Sequence, residues 1–140
     1  MKETLIIAGF GGQGVLSMGK ILAYSGVMQD YEVTWMPSYG PEMRGGTANV
    51  TVILSDKRIS SPIAHEFDTA IVLNQQSMDK FESMVRPGGT LIYSTCTFNR
   101  DEDEGSLERM LAWAGDEAAA PYPVDVDPAW GIVELSLIHI

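Results

Sequence analysis

Thr4-Leu5-Ile6-Ile7-Ala8 is an unbroken apolar run closed by glycine, the pattern of a strand buried on both faces, and such strands belong to parallel sheets covered by helices. The period then changes. Val15, Met18, Leu22 and Ser25 recur on one helical face, predicting a helix from Val15 to about Met28, and Gly19 and Ala23 permit close packing on a sheet. Strand character returns over 31–36 and 48–54, with a long polar loop, 37–46, between them and a turn at Ser55-Asp56-Lys57. Residues 67–74 form another buried-type strand. Met78, Phe81, Glu82 and Val85 predict a helix over 77–85, and Pro87-Gly88-Gly89 turns the chain into a strand at 90–93. Strands alternating with helices indicate an α/β fold, Rossmann-like, with a mainly parallel sheet and flanking helices.

Beyond Tyr93 the pattern weakens and the charge changes. Asn99 and Glu102 have capping-box spacing, and the acids at 101–104 suit the positive end of a helix through Leu107, Met110, Leu111 and Trp113. Ala118-Ala119-Ala120-Pro121 ends that helix, and 124–126 and 132–137 are short strand candidates. Residues 1–93 carry seven basic and nine acidic side chains, whereas 94–140 carry two and ten, so the final third holds most of the net charge of −10. This divides the chain into an α/β domain, 1–93, and an acidic C-terminal segment, 94–140. The segment is either a solvated face and tail of one domain or a second, unrelated piece.

The acidic balance argues against nucleic acid or an anionic membrane as partner. No apolar run reaches the length of a membrane span, and the start lacks the features of a signal peptide, so the expected compartment is the cytoplasm. Cys96 is the single cysteine, which excludes an intrachain disulfide and falls short of the four thiolates of an iron–sulfur cluster.

Two loops carry the candidate chemistry. Gly9-Phe10-Gly11-Gly12-Gln13-Gly14 follows a strand and opens a helix, so its backbone N–H groups suit an anion. The acidic ribose ligand of a dinucleotide site is missing: the second strand ends in Trp35-Met36-Pro37-Ser38. The alternative is that these glycines only allow close strand–helix packing. In the second loop, Pro37 to Gly46, Arg44 offers a planar fork to phosphate or carboxylate, and Gly45 and Gly46 permit close backbone approach. A rigid turn with an internal Glu42–Arg44 pair is the competing reading.

Ile6 to Val15 and Trp35 to Asn49, with Ser61-Pro62, Leu73 to Ser77, Lys80-Phe81 and Pro87-Gly88-Gly89, closely resemble the gamma subunit, or gamma domain, of 2-oxoacid:ferredoxin oxidoreductases over residues 1–93. The resemblance implies a complex that oxidatively decarboxylates a 2-oxoacid such as pyruvate or ketoisovalerate to an acyl-CoA. Thiamine diphosphate and iron–sulfur clusters would sit on alpha, beta and delta (ferredoxin-like) subunits, with coenzyme A as acyl acceptor and ferredoxin as electron acceptor. This chain alone would be inactive. Its implied cofactor-facing residues are Gly9, Gly11, Gly12, Gln13, Gly14, Tyr39, Glu42, Arg44, Gly45 and Gly46, directed at a subunit junction or at coenzyme A phosphates.

Leu91 to Asn99, the acidic run with Glu104, and Pro128-Ala129-Trp130-Gly131-Ile132 resemble instead the C-terminal part of ribosomal-RNA cytosine-5 methyltransferases. That likeness places Cys96 at the nucleophile position, without the methyl-donor site. It makes 94–140 a methyltransferase-like fragment, the gamma-type domain truncated and the chain a chimeric reading frame joined near residue 93. Leu135 to Ile140 reads either as adapter-derived sequence or as a short apolar strand. The alternatives for function are therefore a fragment of an RNA cytosine-5 methyltransferase and a free-standing nucleotide-binding module.

Overall fold

The computed structural model describes residues 1–39, 47–95, 101, 104–114, 120–123 and 136–139. Strands β1 (Lys2–Phe10), β2 (Glu32–Tyr39), β3 (Thr47–Ser55), β4 (Phe67–Val72), β5 (Val85–Tyr93), β6 (Ala120–Pro123) and β7 (Ser136–His139) form one sheet in the order β2-β3-β1-β4-β5-β7-β6. Helices α1 (Val15–Met28), α2 (Gln75–Phe81) and α3 (Glu104–Ala114) complete the α/β arrangement.

The expectation of a mainly parallel sheet is corrected. Only β1–β4 and β4–β5 run parallel, while β2–β3, β3–β1, β5–β7 and β7–β6 are antiparallel. The reason lies partly in connection length. A parallel crossover needs about a dozen residues or more, and the link between β2 and β3 spans only 40–46. The two therefore return as neighbours, in register from Glu32 opposite Ser55 to Tyr39 opposite Ala48.

Alternation along the central strands feeds two cores. Ile6, Ala8, Ala70, Val72 and Leu91 face Met78 and Phe81 of α2, with Phe67, Val85 and Leu111 of α3 in the same cluster. On the other face, Leu5, Ile7, Val50 and Val52 meet Val15 of α1 and Leu73, with Leu22, Val33 and Trp35 packed around them. Helix α1 sits close to this face because two of its contact positions lack side chains. A Cβ at Gly19 would lie 2.6 Å from Val50 Cγ1, and one at Gly26 would lie 2.6 Å from Leu54 Cδ2. Gly19 meets the sequence expectation; Gly26 was not anticipated, and Ser25 is exposed.

Three further boundaries differ from the pattern. The helix predicted over 77–85 starts at Gln75 and ends at Phe81, and Glu82–Met84 tighten into a 3-10 turn before Val85 enters β5. Asn74 sets the start, because its Oδ1 accepts from Ser77 N at 2.8 Å. Pro87-Gly88-Gly89 lies inside β5 as an irregularity, between the pairs Phe67–Val85 and Thr69–Thr90, with Gly88 at φ 79°. The strand after the acidic helix is Ala120–Pro123, whereas 124–126 and the proposed cap Asn99 with Glu102 lie outside the described residues. Residues Ser136–His139, part of the 132–137 candidate and of the closing hexapeptide, form β7 and pair with β5 and β6.

At the amino-terminal rim of the parallel strands, Asp68 is buried. Its Oδ2 accepts from Thr4 N at 2.7 Å, and its Oδ1 pairs ionically with Arg86, linking β1, β4 and β5. No helix among the described residues is long and apolar enough to cross a membrane.

Candidate functional site

The opposite rim holds the carboxyl ends of β1, β4 and β5. The chain leaves β1 toward α1 on one face and leaves β4 toward α2 on the other, so the gap between β1 and β4 is a topological switch point, where ligand crevices of open α/β sheets form. The glycine loop, 9–14, stands at this gap.

Gln13 organises that loop. Its Oε1 accepts from Phe10 N at 2.6 Å and from Asn74 Nδ2 at 3.2 Å, while its Nε2 donates to Leu73 O at 3.1 Å. Its own backbone N–H donates to Phe10 O. The amide thus clasps the end of β1 to the end of β4, and both Gln13 nitrogens are already engaged within the protein. Gly9 lies beneath the clasp: an added Cβ would stand 2.7 Å from Gln13 Oε1, 3.0 Å from Val15 Cγ2 and 3.1 Å from Leu73 Cβ. Close packing, one of the two sequence readings, therefore accounts for Gly9.

The remaining glycines face outward. Gly12 (φ 97°) and Gly14 (φ 83°) occupy the left-handed region, both are exposed, and nothing lies within 4 Å of a Cβ built on either. Gly14 caps α1 without a side-chain hydrogen bond, and the first turn of α1 holds no acid. The positive end of a fourteen-residue helix is thus left without side-chain compensation, beside the half-buried Gly11. This polarity suits a phosphate or carboxylate.

The second loop's flanks leave from the same rim. Ala48 pairs with Gly9 on one side and with Tyr39 on the other, and Thr47 pairs with Phe10. Tyr39 ends β2 there. Glu42, Arg44, Gly45 and Gly46 lie outside the described residues, as does Cys96.

Two residues at this rim were not singled out from sequence. Asn74 both caps α2 and joins the Gln13 clasp, and an Asn three residues before Ser77 at a helix start was the available signal. Arg109 comes from α3: its Nη2 lies 3.1 Å from Gln75 Oε1, 3.0 Å from Asp101 O and 3.1 Å from the buried Ser106 Oγ. No local sequence signal pairs Arg109 with Gln75. Among the described residues no group of three or more His, Cys, Asp and Glu gathers as metal ligands.

The sequence profile of the pyruvate ferredoxin/flavodoxin oxidoreductase family matches residues 4–127. The chain belongs to this family. Relatives in it include ketoisovalerate oxidoreductase subunit VorA of Methanothermobacter marburgensis, 45% identical over 98 residues, covering 70% of this chain and 20% of that protein. The 2-oxoglutarate synthase subunit KorC of Methanocaldococcus jannaschii is 34% identical over 111 residues, covering 79% and 56%. Among solved structures, the gamma subunit of a keto/oxoacid ferredoxin oxidoreductase from Geobacter sulfurreducens matches with a TM-score of 0.57 at 30% identity, covering 66% of this chain and 50% of that one. The chain thus spans from a fifth to just over half the length of these relatives. A shorter stretch of 54 residues, 39% of this chain and 12% of the relative, is 39% identical to a probable ribosomal RNA small subunit methyltransferase B of Synechocystis. The family match crosses residue 93 and continues to 127.

Proposed function

We propose that this chain is the gamma component of a cytoplasmic 2-oxoacid:ferredoxin oxidoreductase, converting a 2-oxoacid to an acyl-CoA only when assembled with its companion subunits. Family membership over residues 4–127 is the observation that carries this reading. Thiamine diphosphate and the iron–sulfur clusters belong to the companions in this reading, and ferredoxin accepts the electrons.

The contribution of this chain is electrostatic positioning. The open helix end at Gly14, the exposed glycines 12 and 14 with open space around them, and the absence of acid in the first turn of α1 fit the phosphates of coenzyme A. Coenzyme A supplies the thiol that accepts the acyl group. Tyr39 and Thr47, the flanks of the β2–β3 link, end beside the close of β1, and from within the sequence of that link Arg44 is assigned to clamp the anion, with Glu42, Gly45 and Gly46 assigned to the same site. Gln13 holds the loop in shape rather than touching the ligand with its side chain.

The test is steady-state turnover of the reconstituted complex. Omitting this chain should abolish coenzyme A-dependent oxidation of the 2-oxoacid, and Arg44→Ala should raise the KM for coenzyme A about tenfold, the effect of losing roughly 1.4 kcal/mol of binding. Full turnover without the chain would refute the assignment; an unchanged KM in an assembled Arg44→Ala complex would refute the clamp alone.

A second reading rests on the 54-residue methyltransferase match. It makes Cys96 the nucleophile toward cytosine, and a Cys96-dependent covalent adduct with a 5-azacytosine RNA, which forms by thiolate addition at C6 and protonation at N5 without methyl transfer, is its signature.

A further inference from the structure

Helix α3 reaches the first turn of α2 through one long side chain. Leu111 seats α3 on the core beside Met78 and Phe81, and the buried Ser106 Oγ accepts from Tyr93 Oη at 3.3 Å at the end of β5, so the backbone that carries Arg109 is anchored on both sides. Arg109 is then oriented from its own segment: Nη2 donates to Ser106 Oγ at 3.1 Å and to Asp101 O at 3.0 Å. The same nitrogen donates across to Gln75 Oε1 at 3.1 Å, while Gln75 Nε2 donates to Asp79 Oδ1 at 2.6 Å, one turn along α2. Both ends of the Gln75 amide are thereby held. Its neighbour Asn74 caps α2 and donates to Gln13 Oε1 at 3.2 Å, the oxygen that also accepts from Phe10 N where the glycine loop begins. A line of hydrogen bonds and one peptide unit thus runs from β5 through α3 and α2 to the glycine loop.

We propose that Arg109 is a positioning residue for the glycine loop: by holding Gln75 it fixes the first turn of α2, and through Asn74 and Gln13 it sets the shape in which Gly11 to Gly14 meet an anion. Helix α2 has seven residues, too few to be stable on its own backbone bonds, so its first turn depends on ties to other elements. Direct binding of a phosphate by Arg109 fits less well. Nη2 is committed to three neutral oxygens, the Asp79 carboxylate holds the other end of the same Gln75 amide, and residues 94–140 carry ten acids against two bases. Such a setting repels phosphate, whereas it leaves a brace between two helices intact. A residue beyond 93 therefore governs the affinity of a site whose own residues all precede 93.

The inference rests on the proposed function for the identity of the anion, coenzyme A. Its test reads the reconstituted complex in two ways: kcat and KM for coenzyme A, and hydrogen exchange of the peptide covering 9–14, followed by mass spectrometry. Arg109→Met should raise the KM about threefold to tenfold at unchanged kcat, within the range that coupling through such networks spans, and should speed exchange over 9–14. Gln75→Met should do the same, and the double variant should do no more than either, because both cut one link. Arg109→Lys, which keeps a charged donor toward Gln75, should stay close to the parent. Glu108→Gln, beside Arg109 on α3, should change neither readout. Should Arg109→Met fail to assemble, Gln75→Met carries both readouts, since it alters no contact of α3 with the core. Equal KM and equal exchange in the parent, Arg109→Met and Gln75→Met complexes would overturn the brace and leave the function standing. A KM raised by Arg109→Met alone, with Gln75→Met at the parent value, would overturn it in favour of direct contact between Arg109 and coenzyme A. A parent complex without coenzyme A-dependent turnover would overturn the function, while exchange over 9–14 would still decide the brace.

Discussion

Gln13 places a donor and an acceptor on one amide, and both are used across the β1–β4 gap. Truncating it to Ala leaves Phe10 N–H and Leu73 C=O without these partners in a half-buried setting. Gln13→Ala should therefore cost about 2 kcal/mol in a urea titration, and the Phe10 amide should exchange faster with solvent. Two carboxylates respond to pH with opposite signs. The N-terminal ammonium hydrogen-bonded to Asp56 holds that carboxyl below its ordinary value, so its stabilisation is present at neutral pH and is lost as pH falls through the lowered pKa. Burial, followed by the charge of Asp79, pushes Glu82 above its ordinary value. Its ionised form opposes folding, so this contribution improves as pH falls through the raised pKa. Glu82→Gln should stabilise the chain at neutral pH and abolish the Glu82 contribution to gain on acidification, as followed by denaturant midpoints between neutral and mildly acidic pH.

At the level of elements, α1 owes its position to what two residues lack. Alanine is the better helix former by about 1 kcal/mol, yet at Gly19 it meets Val50, a fully buried β-branched side chain with little rotamer freedom. Gly19→Ala should lower stability by about 1–3 kcal/mol despite the propensity gain. Gly26→Ala meets first the terminal methyl of half-buried Leu54, which can swing aside, so its melting temperature should stay closer to that of the parent chain. Helix α2 shows a different balance. The apolar spacing 78, 81, 85 reads as continuous helix, but Val85 is drawn into pairing with Phe67 at the start of β5, and the 3-10 turn at Glu82–Met84 absorbs the change of direction.

Over the whole molecule, residues beyond 93 are physically part of the sheet: β7 pairs with β5, Leu111 packs on the core, and Tyr93 Oη donates to the buried Ser106 Oγ at 3.3 Å. A chain ending at Tyr93 should melt lower and associate as its concentration rises, because the edge of β5 loses its cover; light scattering beside a melting curve would measure both. We retain the boundary at 93 as a proposal about origin, and sequencing the source DNA across codons 85–100 should reveal a junction there. Much was legible without coordinates. Buried strands, the long first helix and the glycine loop follow from local periodicity and backbone freedom, which short stretches of chain encode by themselves. Strand direction, the entry of Val85 into β5, the Gln13–Asn74 clasp and the reach of Arg109 to Gln75 were decided only in the tertiary structure. Each depends on which distant residues become neighbours, and pairing of that kind follows from connection length and packing across the sheet rather than from any pattern within one segment.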